Sequence, residues 1–476
     1  MAREQTSGKS AGGVVATTQS YVRDHVRLYA NSSDNNFTDI KALVNRIIFT
    51  ENIKQASVIC TIDVLDGVNL FETFKLSGGE KVEIQLSQNT PLGRNKLSRE
   101  FYVSDIINHT KPKMGYQTYQ LVCITKYAYL NNLIRLDRDF SSSPGKLIKD
   151  ILKKDLRVDD KDIFELNTST GTVMQGIYPG LKPLEAISWL KRNAFDESTP
   201  FYFYDTLHKG LVLNSLKELT LKDTDIEFDQ RPFFDTFKNP KEEFLDSRRR
   251  IKKLSSELGL SKFNQAANGA YSSSLMSIDI ATKTVVESQD YRYKDDFIIK
   301  EHVIEGNRIK AKKNFSSEAK FNDREFNNFP QSREYNISLN SLSFDKKNYH
   351  DHIPNFIQKS EAIKNGLNYI TLNIDVNGDF RLHSGKMISV IIPKSTAARL
   401  TKTNDQIDRQ LSGSYLVTSV THEFNLNEYT MSLEIKKDST MLTLDGPIDI
   451  RQAVQDEAKW EKTISQHKSF TGSQEQ

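Results

Sequence analysis

The chain has 476 residues, 37% of them hydrophobic, with 26 Phe and 18 Tyr; at about 100–200 residues per domain this length predicts roughly three domains with cores of their own. Lys and Arg total 65 against 62 Asp and Glu, so no global field directs the protein to nucleic acid or to a membrane surface. No apolar run approaches the ~18 residues that a membrane helix needs, and the N-terminal MAREQTSGKS lacks the apolar core of a signal peptide, which predicts synthesis and folding in the cytoplasm.

Residues 1–40 are rich in Ser, Gly, Thr and Asn without a sustained period and read as a flexible arm. Gly8, Lys9 and Ser10 imitate the end of a phosphate-binding loop, but position 3 is Arg and no strand precedes it. Strand signals then follow closely over 41–131. Asn45–Thr50 is the first. Val58, Cys60, Ile62 and Val64 alternate with their neighbours until Asp66-Gly67 supplies turn chemistry. After Gly78-Gly79, Val82, Ile84 and Leu86 alternate again, and Phe101–Asn108 and Tyr119–Lys126 complete an all-β block the size of a small barrel. Cys60 and Cys123 take inward positions, which predicts buried thiols rather than a disulfide or a redox pair.

Residues 132–225 change to an α+β pattern. Ser143 is placed to cap a helix begun by Pro144, with Leu147, Ile148, Ile151 and Leu152 on one face. Pro183 opens another helix, in which Leu184, Ile187, Leu190 and Ala194 share a face. Phe201–Asp205 and Leu211–Asn214 flank Lys209-Gly210 as a hairpin. Residues 226–269 read as a helical connector: a helix from Asn239-Pro240 to Gly259, acidic at Glu242 and Glu243, with the stripe Phe244, Ile251, Leu254 and Leu258. Arg248, Arg249, Arg250, Lys252 and Lys253 lie mostly off that stripe and suit a solvated face better than contact with nucleic acid or an acidic partner.

A second β region is expected over 270–440. Ser272–Ile280 begins it, a polar insertion covers about 303–366 with a short helix ending at Gly366, and Ile370–Val376, Ile388–Ile392, Tyr415–His422 and Tyr429–Lys436 follow as strands. Residues 441–476 form a tail with a short helix over Ala453–Lys462. Four strand pairs match in order at an offset of about 310 residues. Val58 to Val64 answers Ile370 to Val376, and Gly79 with Val82, Ile84 and Leu86 answers Gly385 with Ile388, Val390 and Ile392. Phe101 to Ile106 answers Tyr415 to Val420. Tyr119, Leu121, Cys123 and Lys126 answer Tyr429, Met431, Leu433 and Lys436. Ser272–Ile280 would then answer Asn45–Thr50. The expected fold is mainly β with an α+β middle domain and two barrels related by internal duplication, with Phe101, Val103, Tyr119, Tyr415, Val417 and Tyr429 in the barrel cores.

Chemistry-bearing motifs are few. His350-Asp351-His352 lies in the polar insertion and suits a surface loop better than a metal site. His422, at a strand end, suits an interface better than a catalytic base. Neither a Gly-x-Ser-x-Gly elbow, an HExxH pair nor a Cys-x-x-Cys pair occurs in the sequence. The reading is therefore of a structural protein with no catalytic, cofactor-binding or metal residue assigned.

The string Leu76 to Ile84, the run Arg99 to Ile106, Pro183 to Trp189 with Phe201 to Tyr204, and Gly413 to His422 followed by Tyr429 to Asp438 carry a family resemblance over about 45–440. In these stretches the chain resembles the central baseplate hub proteins of contractile-tailed bacteriophages, and is similar to the hub part of type VI secretion spike proteins. The resemblance implies two tail-tube-like barrels per chain and a homotrimeric ring. It also implies a hexameric tail tube protein on one face, a trimeric central spike protein on the other, and contacts with other baseplate proteins in the virion. The chain departs from the smaller family members in its long polar insertion and extended arm. Three subunits carrying six similar barrels would form a symmetry adaptor. Contact with DNA in a tube lumen has no support in the sequence. Two other readings stay open: a tail-associated cell-wall hydrolase, and a receptor-binding tail protein.

Overall fold

A computed structural model of the chain describes residues 21–30, 36–90, 93–171, 173–196, 199–222, 224–230, 247–259, 262–280, 282–293, 320–339, 349–393, 407–408, 410–426 and 428–438. The fold is mainly β. Thirteen strands join one sheet, whose main path runs Ile251–Leu258, Ile370–Asn377, Tyr429–Lys437, Gly413–Phe424, Val44–Asn52, Ile59–Asp66, Tyr116–Ile124, Gly93–Lys113, Lys81–Thr90, Tyr21–Tyr29, Phe37–Asp39. Met387–Ile391 branches from Gly413–Phe424 and pairs in turn with Glu227–Asp229.

Period-two alternation places one side of each strand inside. Phe49, Ile62, Val82, Phe101, Val103 and Tyr119 from the N-terminal half share one contiguous core with Ile374, Val390, Tyr415, Val417, Tyr429 and Leu433 from the C-terminal half. The six expected core residues are all among them, each at most 1% exposed. Burying such side chains contributes about 1.5–3 kcal/mol each. The sheet curls back on itself at Tyr21, whose ring meets Phe424 edge-on at 5.0 Å and whose hydroxyl donates to the Asn425 carbonyl. Cys60 and Cys123 are directly opposed in their ladder, buried and unbridged, and burial pushes both thiols up.

The middle domain has its own core, with Leu147, Ile148, Ile151 and Leu152 packed against Ile187, Leu190, Phe201 and Leu213. Its helices are Pro144–Asp150, continued by a wider turn over Ile151–Asp155, and Pro183–Arg192. Ser143 stands at the first helix's N-cap, but its hydroxyl donates to the Thr168 carbonyl at 3.4 Å instead of capping. Thr199–Thr206 and Gly210–Ser215 form the hairpin. The domain docks on the large sheet through Arg99 and Asp205, 2.8 Å apart, with the Asp205 side chain wholly buried. Burial raises the Asp205 carboxyl, and the Arg99 guanidinium only partly offsets this.

Three expectations are corrected. Residues 21–29, assigned to the flexible arm, form a strand paired with Lys81–Thr90. Its register shift between Arg23 and His25 breaks the alternation that would have marked it. Residues 251–258, assigned to a helix, form a strand antiparallel to Ile370–Asn377. Ile251, Leu254 and Leu258 imitate helical spacing, but an exposed sheet edge carries little apolar pattern of its own. Ser272–Asp279 is a strand, yet not part of the large sheet. It lies between Thr284–Arg292 and Glu334–Leu339 in a separate three-stranded sheet. Helix Tyr349–Gly366 packs there, its Gln358 amide donating to the Ser273 carbonyl at 3.1 Å. The backbone of His350, Asp351 and His352 lies in this helix; their side chains, the 239–246 segment, Gly8-Lys9-Ser10 and the Ala453–Lys462 helix lie outside the described residues.

Candidate assembly seam

The large sheet contains two ladders of five strands with one pairing order. In the first, Val44–Asn52 pairs Ile59–Asp66, which pairs Tyr116–Ile124, then Gly93–Lys113, then Lys81–Thr90. In the second, Ile251–Leu258 pairs Ile370–Asn377, then Tyr429–Lys437, then Gly413–Phe424, then Met387–Ile391. Two irregularities fall at matching places, whereas the shifts at Ile107/Thr110 and Thr110/Lys113 belong to the first ladder alone. A register shift between Val44 and Arg46 corresponds to one between Ile251 and Lys253, each opposite a Val-Asp pair, Val64 and Asp63 or Val376 and Asp375. A shift between Val103 and Asp105 corresponds to one between Val417 and Ser419.

Backbone hydrogen bonds repeat as well. The Gly79 N–H donates to the Val103 carbonyl at 2.7 Å and the Gly385 N–H to the Val417 carbonyl at 2.8 Å. Val103 and Val417 donate back to Glu80 and Lys386, both at 2.9 Å. Gly79 and Gly385 have φ of 93° and 78°, which accounts for the glycine at both places. These ladders align Leu121 with Leu433 and Gln117 with Tyr429. That register is two residues from the correspondence of Tyr119 with Tyr429 expected for this strand, because alternation is unchanged by a slip of two.

The ladders meet at a seam inside the chain. Gly413–Phe424 pairs Met387–Val390 with its first residues and Val44–Asn52 with its last, from Ser419 opposite Asn52 to Phe424 opposite Ile47. At its centre, Glu51 is fully buried. Its carboxyl accepts the Leu207 N–H at 2.8 Å from the middle domain and the Ser384 N–H at 3.0 Å from the second ladder. His422 lies 3.4 Å away on the same carboxyl, its other ring nitrogen 2.8 Å from the Tyr429 hydroxyl. His422 is fully buried, at a seam within the chain. Glu51 thus ties three parts of the chain together. Sequence reasoning passed over it, although a carboxyl in phase with Ile47 and Phe49 on the inward side was its visible signal.

Beside the seam, His208 packs on Phe380 at 4.9 Å and lies 6.4 Å from the His422 ring. Burial pushes His208 down to about 3 and His383 down to about 4. Asp379 accepts from Arg381 at 2.7 Å and lies 3.2 Å from Arg248. Burial alone would raise its carboxyl, but the two guanidinium groups hold it below the usual range. Among the described residues, no group of three His, Cys, Asp or Glu is arranged to hold a metal ion, and no helix is long and apolar enough to cross a membrane.

No family profile matches the chain, and no curated protein matches it in sequence. Among solved structures it is similar to a tail protein from Neisseria meningitidis, at 10% identity over 88% of this chain and 97% of that one, with a TM-score of 0.48. It is similar to a 43 kDa prophage tail protein from Shewanella oneidensis, at 10% identity over 86% and 97%, with a TM-score of 0.48. A third is an Escherichia coli component of the type VI secretion system, described as structurally similar to the T4 bacteriophage tail proteins gp27 and gp5. It matches at 10% identity over 85% of this chain and 76% of that one, with a TM-score of 0.40. The structural neighbours named are thus tail proteins, one of them from a prophage, and a component of the type VI secretion system.

Proposed function

We propose that the chain is a structural hub of a contractile tail baseplate, a homotrimeric ring that joins a hexameric tail tube to a trimeric central spike. The observation that carries this reading is the repetition of one five-strand ladder, with two of its register shifts at matching places, within a single chain, which we read as an internal duplication. Two copies of a domain per chain give six in a trimer, so a threefold ring offers a sixfold surface to one partner and a threefold surface to the other. The family resemblance supplies the identity of those partners and the location, the virion baseplate. The fused seam suits the role, because a ring that transmits contraction force must not separate into its domains. No residue is assigned to catalysis.

The test is native mass of the purified full chain followed by negative-stain imaging. The expected result is a particle of three 54.4 kDa chains seen end-on as a ring of six lobes around an opening. A chain that stays monomeric at every accessible concentration overturns the reading.

A further inference from the structure

The seam inside the chain is a template for the seam between chains. It uses the outer edge of Val44–Asn52 from the first ladder and the second half of Gly413–Phe424 from the second. The counterparts of those two edges are Ile251–Leu258 and the stretch following Val103 in Gly93–Lys113. Among the described residues, no strand pairs with Leu254–Leu258 on the side away from Ile370–Asn377, or with Ser104–Thr110 on the side away from Tyr116–Ile124. The large sheet therefore has, among the described residues, two different unpaired edges whose counterparts are already paired with each other.

We propose that these edges pair between neighbouring copies of the chain, Asp105–Ile107 of one against Glu257–Gly259 of the next, in the register of the internal seam. This rests on the ring proposed above and names its interface. Transferring Ser419 opposite Asn52, Val420 opposite Glu51 and Thr421 opposite Thr50 places Asp105 opposite Gly259, Ile106 opposite Leu258 and Ile107 opposite Glu257. The pairing is short, because Asn108 turns to a φ of 53° and ends the regular strand.

Three observations favour a second copy as the occupant. Leu258 is 44% exposed and Ile106 only half-buried, whereas their counterparts in the internal seam, Glu51 and Val420, are both 0% exposed. Backbone directions agree: Ile53 donates across the internal seam to Thr418 at 3.0 Å, so Glu51 also points its N–H across it. Gly259 donates inward to Tyr369 at 2.9 Å, which leaves the N–H of Leu258, the counterpart of Glu51, pointing at the open edge. Finally, Lys252 and Lys253 are exposed on the same strand, a placement that opposes pairing of that edge with itself. Two unlike edges meeting make a head-to-tail contact, the kind that forms a ring when the rotation between copies closes.

The test is the double variant Ile107→Cys with Glu257→Cys in the full chain. This is a non-hydrogen-bonded opposed pair, with Cα atoms expected about 4.5 Å apart, inside the window of about 4.4–6.8 Å for a disulfide; the native Cys60 and Cys123 are buried and do not compete. Mild oxidation is expected to give cross-linked species in multiples of 54.4 kDa ending at the closed ring. Mixed single variants should give dimers only, and Ile107→Cys with Ser255→Cys, two residues out of register, at least tenfold less product. Leu258→Pro removes only the outward N–H and is expected to abolish assembly while leaving the thermal melt of the monomer unchanged. A native trimer that fails to cross-link at 107 and 257, that cross-links equally out of register, or that assembles with Leu258→Pro overturns this seam but leaves the ring standing. Cross-linking by either single variant alone shows like edges pairing and also overturns it. A monomer overturns both.

Discussion

The two ladders have one wiring and opposite finishes. In the first, the end strand has partners on both sides, and its inward residues Ile47, Phe49 and Glu51 are all 0% exposed. In the second, the corresponding positions are Leu254, Ser256 and Leu258, half-buried or exposed. An edge completed during folding can carry aromatic and β-branched residues, whereas one that waits for another chain must stay soluble until it meets it. The connections differ in the same sense. Asn52 reaches Ile59 through a short turn, while between Leu258 and Ile370 the chain adds the separate three-stranded sheet and helix Tyr349–Gly366. The insertion predicted at 303–366 is therefore part of a longer one placed in a loop that the first ladder keeps short.

The largest effect is expected where the ladders are fused. Glu51→Leu gives the first ladder the residue found at its counterpart, Leu258. It leaves the Leu207 and Ser384 N–H groups buried without their acceptor, at a cost of about 3–4 kcal/mol. Urea unfolding of the full chain should show this as a lower midpoint with an unchanged slope. An unchanged midpoint would show that the seam is held by its apolar contacts alone.

The paired glycines sharpen the comparison next. Both take positive φ in the same hydrogen-bonded turn, so alanine strains each by about 1–2 kcal/mol. At Gly385 an added Cβ also falls 1.9 Å from the Tyr204 hydroxyl oxygen of the middle domain. Gly385→Ala is therefore expected to lower the melting temperature distinctly more than Gly79→Ala. Equal effects would mean that Tyr204 moves aside freely.

Much of this plan was legible in the sequence. Val58–Val64 and Ile370–Val376 alternate strictly because they are buried on one face along their whole length, and period two survives any pairing partner. The two end strands were read differently for physical reasons. Val44–Asn52 was visible because its seam partner demands apolar residues, whereas Ile251–Leu258, with an exposed outer edge, has Lys and Ser where its counterpart has Arg, Ile and Phe. The slip of two at Tyr119 and Tyr429 had the same origin, since alternation fixes the face of a strand but not its register. Glu51 was overlooked because its partners, Leu207 and Ser384, are backbone groups about 150 and 330 residues away, which no local pattern marks.

Acid should act unevenly on the two ladders. His208 and His383 are held at about 3 and about 4, and Ser77, the first-ladder counterpart of His383, does not titrate. Glu51 favours protonation of His383, while Lys209 and Lys386 oppose it. An unfolded chain binds protons at these histidines from about pH 6.5 downward, and the folded chain does so only near 3 and 4. Their contribution is therefore complete above about pH 6.5 and is lost as the pH falls toward those values. Asp379, held low by its arginines, adds a loss that begins as the pH falls below about 4. His383→Ser should flatten the fall in melting temperature between pH 6.5 and 4, and an unchanged slope would place the acid sensitivity elsewhere.

The smallest effect is expected from the reverse of the first exchange. Leu258→Glu gives the second ladder the residue that holds the first together, yet Leu258 is 44% exposed and, among the described residues, no counterpart of the Leu207 and Ser384 N–H groups is placed beside it. Urea unfolding of the monomer should shift by less than about 0.5 kcal/mol, as at other exposed positions. One pair of residues exchanged in two directions would then differ several-fold in cost, although the backbone wiring around them is the same. The difference lies in what surrounds each strand. Glu51 is met by N–H groups from two other parts of its own chain, whereas Leu258 has an exposed outer edge. A large destabilisation of the Leu258→Glu monomer would show that this edge is already covered within the chain.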